Sequence, residues 1–129
     1  MPIHVTPIYA GLIALVFIAL SARVIVYRRR NRISVGDAGD KALLQRMRAQ
    51  ANCAEYAPLA LLLLLLSELA GAPTLALHVL ALTLLAGRVM HAIGFSRHPQ
   101  IMRLRVGGMM LTLLMINFSA LGLVLHSLL

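Results

Sequence analysis

Tryptophan is absent from this sequence, cysteine occurs once, and only four residues are acidic against twelve Lys and Arg. Each shortage excludes a class of protein. A single cysteine, Cys53, cannot form an intrachain disulfide, so a disulfide-stapled secreted module is ruled out and cysteine usage says nothing of redox compartment. Charged residues make up 12% of the 129, where a soluble domain carries roughly a quarter. That is too little polar surface to solvate a small folded body, which excludes a soluble globular domain and a disordered tail. The formal charge of +8 invites a nucleic-acid reading, but stacking aromatics and a soluble basic face are both missing.

What is present is apolar. The hydrophobic set accounts for 60% of the chain and mean hydropathy is +0.88. Four stretches, 8–27, 49–70, 74–94 and 106–129, each have the length a helix needs to cross about 30 Å of hydrocarbon at about 1.5 Å per residue. They predict an all-α integral membrane four-helix bundle, built as a single domain over 1–129. Arg23 interrupts the first stretch, and its long stem carries the charged head to the nearby interface. Met-Pro-Ile-His at the start offers no basic region of a cleavable signal, so the first span is expected to stay in the mature protein. Gly36, Asp37, Gly39 and Asp40 predict a polar connection, with helix resuming near Ala42, and Gly71-Ala72-Pro73 predicts a tight turn.

The basic residues set an orientation. Arg28, Arg29, Arg30, Arg32, Lys41, Arg46 and Arg48 lie in or beside the first connection, and Arg97, Arg103 and Arg105 in the third; the second connection and both ends have none. By the positive-inside rule the first and third connections are cytoplasmic and both termini lie on the outer side. Most of the net charge then serves topology and anionic headgroups.

Function is most readable in the ionisable residues kept inside the spans, because each is costly against hydrocarbon. Arg48, Asn52 and Glu55 are four and three apart, on one face of span two, with Tyr56 and Pro58 following; Arg88 and His91 are three apart on span three, with Phe95 four later. Both polar faces sit at the cytoplasmic end. Antiparallel spans are expected to bring Glu55 against Arg88, either as an ion pair that fixes register or as one part of a larger cationic pocket. The surplus of Arg48, Asn52, Tyr56, His91 and Arg103 or Arg105 over one carboxylate favours the pocket, suited to an anionic ligand from the cytoplasm. Glu68 and His78, at the outer turn, are expected to make a local hydrogen bond or to be solvated at the interface. No cluster has metal-ligand spacing, Cys53 is read as a small buried hydrophobe, and Gly87, Gly94, Gly107, Gly108 and Thr112 as sites of close helix approach, within or between subunits.

The segment Arg48-Ala49-Gln50-Ala51-Asn52-Cys53-Ala54-Glu55-Tyr56-Ala57-Pro58-Leu59 resembles the signature of the MAPEG family, the membrane-associated proteins in eicosanoid and glutathione metabolism. Gly87-Arg88-Val89-Met90-His91 through Gly94-Phe95 resembles the family's third span, and Arg103-Leu104-Arg105 the basic start of its fourth. The resemblance implies a homotrimer with glutathione, as cosubstrate, bound between subunits near the cytoplasmic face of a membrane, here expected to be a bacterial inner membrane. It assigns glutathione contacts to Arg48, Asn52, Glu55 and Tyr56, with Gln50 and Arg28 beside them, and stabilisation of the thiolate to an arginine that is Arg105 or Arg103. Arginines suit the tripeptide's carboxylates. The function so implied is a glutathione-dependent transferase or peroxidase acting on lipophilic electrophiles from the bilayer; the alternative is a non-catalytic lipid-binding or scaffold member of the same fold. Phe95 and His91 stand where the eicosanoid enzymes carry tyrosines. A four-span cation exporter ranks far lower, since span one has no carboxylate and the arginines repel cations.

Overall fold

The computed structural model describes residues 2–129, and within them four long helices follow one another without a strand: α1 (Val5–Asn31), α2 (Lys41–Leu69), α3 (Thr74–Ser96) and α4 (Met102–Leu128). Each is long and apolar enough to cross a membrane. The helices overrun the apolar stretches at the basic end. α2 begins at Lys41 rather than at 49, and α4 begins at Met102, which brings Arg103 and Arg105 into its first turns. Hydropathy marks only the hydrocarbon layer, whereas the backbone stays helical through the headgroup layer, where polar side chains are solvated.

Helix ends follow local chemistry. α1 stops where Arg32 turns left-handed, at φ 55, and returns its N–H to the Arg28 carbonyl. Asp40 caps α2, accepting the Leu43 N–H at 3.1 Å and the Tyr27 hydroxyl at 2.6 Å. The Tyr27 hydroxyl, helped by the Leu43 amide, favours the ionised form and holds Asp40 below the usual carboxylate range. Gly71, at φ 82, closes the α2–α3 turn, where Gly71 donates to the Glu68 carbonyl and Ala72 to that of Ser67.

At the other end of the chain's start, α1 has no capping side chain of its own. Its orphan amides are satisfied from a distance: the Glu68 carboxylate accepts from the N–H groups of His4, Val5 and Thr6, each at 2.7 Å. Half-buried Glu68 thus bonds not within its own turn but to the start of another helix, which it caps. His78 is likewise engaged across helices, its Nδ1 3.0 Å from the Tyr9 hydroxyl.

The core is built on small residues. Ala49, Cys53, Ala57, Ala60 and Leu64 of α2 face Ile13 and Leu20 of α1 and Leu77, Ala81 and Leu84 of α3. α3 and α4 come closest of all. A Cβ added at Gly94 would lie 2.5 Å from the Arg105 nitrogen, and one at Gly108 would run into the backbone of His91 and Gly87. These glycines therefore serve contact inside the subunit; Gly107 meets only the end of the Met90 side chain. α2 touches all three other helices, while α1 and α4 do not pack on each other. Leucines and isoleucines cover the outward faces, as lipid contact requires.

Candidate functional site

Arg48, Asn52 and Tyr56 recur every four residues and share one face of α2. Opposite them stand His91 and Phe95 of α3 and Arg105 of α4, and together they line a cleft of about 530 Å³ at the basic end of the bundle. The close glycine contacts between α3 and α4 fall at the backbones of His91 and Arg105 and so bring these two lining residues together.

Arg88 lies under this cleft and is 1% exposed. Its partners are all neutral. Nη1 donates to the Asn52 carbonyl oxygen at 2.6 Å, Nε to the Thr112 hydroxyl at 3.0 Å, and Nη2 reaches the Met109 sulfur at 3.7 Å. The guanidinium also stands 5.9 Å from the Tyr56 ring centroid. The expected pairing of Glu55 with Arg88 is therefore corrected. Glu55 lies 3.6 Å from Arg48 Nη1, and both side chains are half exposed. The reason is helical geometry: Arg48 and Glu55 are two turns apart on α2 and meet on its outer edge, whereas Asn52 is the residue rotated toward α3. That exposed pair is the one ion pair among the described residues, so the buried guanidinium carries a charge that no carboxylate offsets.

The two arginines of α4 separate cleanly. Arg105 lines the cleft, donates to Gln100 Oε1 at 2.7 Å and lies 3.9 Å from the Phe95 ring centroid, a cation–π distance. Arg103 is exposed on the first turn and is not among the residues lining the cleft. His91 is buried, with its ring edge-on to Phe95 at 5.5 Å. Two further candidates lie elsewhere in the subunit. Gln50 turns toward α1 and bonds the Ser21 hydroxyl at 3.0 Å, and Arg28 bonds the Gly36 carbonyl at 2.7 Å in the α1–α2 connection.

Sequence reasoning missed the shell of Arg88. Thr112 and Met109 hold it, and Phe95 is the platform under Arg105 rather than only a lost hydroxyl. One signal was available: Gly87 directly precedes Arg88, and a Cβ there would lie 2.9 Å from the Thr112 hydroxyl, so the glycine leaves the space on α3 that this hydroxyl occupies. Among the described residues no group of His, Cys, Asp and Glu is placed to hold a metal ion.

The arrangement presents guanidinium groups, an amide and a phenol around an apolar-walled cleft at the basic end of the bundle. Two relatives, the inner membrane protein YecN of Escherichia coli strain K12 and that of strain O6:H1, are each 39% identical over 108 residues, covering 84% of this chain and 81% of theirs. The MAPEG family model matches residues 6–125, from the start of α1 to near the end of α4 and so through every residue of the cleft. This integral membrane protein belongs to the MAPEG family.

Proposed function

We propose that the cleft binds glutathione and that the protein is a glutathione-dependent transferase or peroxidase acting on lipophilic electrophiles delivered from the bilayer. One observation carries the reading: Arg88 is fully buried without a carboxylate, beneath a cleft that also holds Arg48 and Arg105. A buried uncompensated cation is costly, and an anionic ligand arriving from water supplies the missing charge. The volume falls within the range of about 300–1,000 Å³ usual for small-molecule sites.

In this reading Arg48, Asn52 and Tyr56 orient the tripeptide's polar groups, Arg88 holds Asn52 and supplies background positive potential, and Arg105 faces the sulfur. Glutathione contributes the nucleophilic thiol. Lowering its pKa by about two units asks for roughly 3 kcal/mol of preference for the thiolate, within reach of one partly desolvated arginine. Phe95 fixes the plane of that arginine. Glu55, half exposed on an apolar helix, and Arg28 and Gln50, remote from their own subunit's cleft, support a homotrimer in which a neighbour completes the site. The arginine distribution supports a cytoplasmic cleft with both termini outside, and the name of the relatives supports a bacterial inner membrane.

In detergent, millimolar glutathione should raise the melting temperature by mass action, and Arg48→Ala should remove the shift. Arg105→Ala should keep the shift but lower conjugation of chlorodinitrobenzene about 10²-fold, the usual cost of one charge-stabilising donor. Absence of any shift in the unmodified protein overturns the reading. A non-catalytic lipid-binding role draws on the methionine wall of Met102, Met109 and Met110, an adaptable apolar surface; co-purifying fatty acid together with no conjugation would favour it.

A further inference from the structure

A second cationic surface lies on the other side of the bundle. Arg23 carries its head toward the basic end of the bundle, where Nη2 donates to the Ser96 carbonyl at the end of α3 at 3.2 Å. Arg23, Tyr27 and Arg30 share one face of α1, and with Arg46 of α2 they line an opening of about 300 Å³. Arg46 is fixed there, its guanidinium 4.4 Å from the Tyr27 ring centroid. Arg23 also borders a second opening of about 280 Å³ between α1 and α3, whose mouth is Arg97. Three helices thus direct four guanidinium groups to one place. Among the described residues the nearby carboxylate is Asp40, and its oxygens already accept from Tyr27 and Leu43.

The two openings adjoin at Arg23, which lines both, and together they make a furrow along α1. Away from the arginines its walls are Val16, Leu20, Val89 and Ile93. Val16 is two turns from Arg23 on α1, which carries the apolar part about 10 Å toward the bilayer centre. A basic head joined to an apolar slot facing lipid is the complement of an amphiphile with an anionic head.

We propose that this furrow is a binding site for an anionic phospholipid, with the phosphodiester held by Arg23, Arg46 and Arg97 and an acyl chain laid along Val16, Leu20 and Ile93. Basic pockets between transmembrane helices on the positively charged side recognise such headgroups, and guanidinium forks match phosphate oxygens. A free phosphate ion shares the head chemistry but leaves the apolar slot unused, so the lipid is the occupant. The furrow runs along α1, which lines no part of the cleft formed by α2, α3 and α4, and the two share no lining residue, so the inference holds or fails without reference to glutathione.

The test is melting temperature and native mass spectrometry of the full chain in neutral detergent, titrated with phosphatidylglycerol, phosphatidylcholine or inorganic phosphate. Phosphatidylglycerol should raise the melting temperature and remain bound, and the other two should not. Arg23→Gln and Arg97→Gln should each weaken its apparent affinity about fivefold, the effect of one basic residue at a membrane surface. Arg29→Gln, which removes the same charge outside the furrow, should leave it unchanged. Because Arg23 also holds the end of α3, Arg97→Gln is the deciding variant if Arg23→Gln does not fold. Equal effects of phosphatidylcholine, full reproduction by inorganic phosphate, or equal losses in Arg29→Gln and Arg97→Gln would each overturn the proposal.

Discussion

Glu68 and Arg88 are both ionisable groups placed within membrane-spanning helices, at opposite ends of the bundle, and neither has an ion-pair partner among the described residues. They are satisfied in opposite ways. Three backbone amides of α1 converge on Glu68, so the carboxylate completes a helix end and the positive end of a helix dipole faces it. Arg88 is surrounded by an amide oxygen, a hydroxyl and a thioether, which fix its plane and leave its charge uncompensated. The carboxylate end is electrostatically closed and structural; the guanidinium end is open, and its charge is available to something that is not part of the subunit.

The difference can be broken first at Arg88. Arg88→Met should remove the thermal response to glutathione entirely while leaving intrinsic stability equal or slightly higher, because a volume-matched apolar side chain replaces an uncompensated buried charge and Thr112 keeps its bond to the Gly108 carbonyl. Melting curves with and without glutathione check both halves. A large loss of stability would make Arg88 a structural residue like Glu68. The reverse pattern is expected at the other end: Glu68→Gln should cost about 1 kcal/mol, the usual worth of a helix cap, with the glutathione shift retained. A loss of that shift would deny the independence of the two ends.

The smallest effect is expected at Asp40, where the carboxylate bridges α1 and the start of α2. Its folded pKa lies below the unfolded one, so its contribution is present above the ordinary carboxylate range. It is lost as pH falls through that range and then through the lowered folded value. Melting temperature measured down that acid limb should fall less steeply in Asp40→Asn than in the unmodified chain; parallel curves would show that the Tyr27 and Leu43 bonds are too solvated to matter.

Much of this was legible beforehand. Span number, the tight turn at Gly71, and the polar faces of Arg48, Asn52 and Tyr56 and of Arg88 and His91 all follow from short-range spacing. The partner of each charge did not. Arg88 and Glu55 lie at similar depth, and depth is all that a hydropathy pattern supplies; whether they meet depends on how each helix is rotated about its own axis. Glu68 and the amides of α1 are more than sixty residues apart, and an unmade backbone bond has no side-chain signature to find.

By itself the amino-acid order determined that this chain is helical, crosses a membrane four times and gathers its arginines at one end, because chain hydropathy, helix period and turn chemistry act over a few residues. Only the tertiary structure decided that Arg105 rather than Arg103 borders the cleft, that Arg88 is held by neutral groups, and that Glu68 caps α1. Those outcomes rest on helix rotation and close approach, fixed where Gly87, Gly94 and Gly108 let two backbones touch, and such contacts exist only once all four helices have packed.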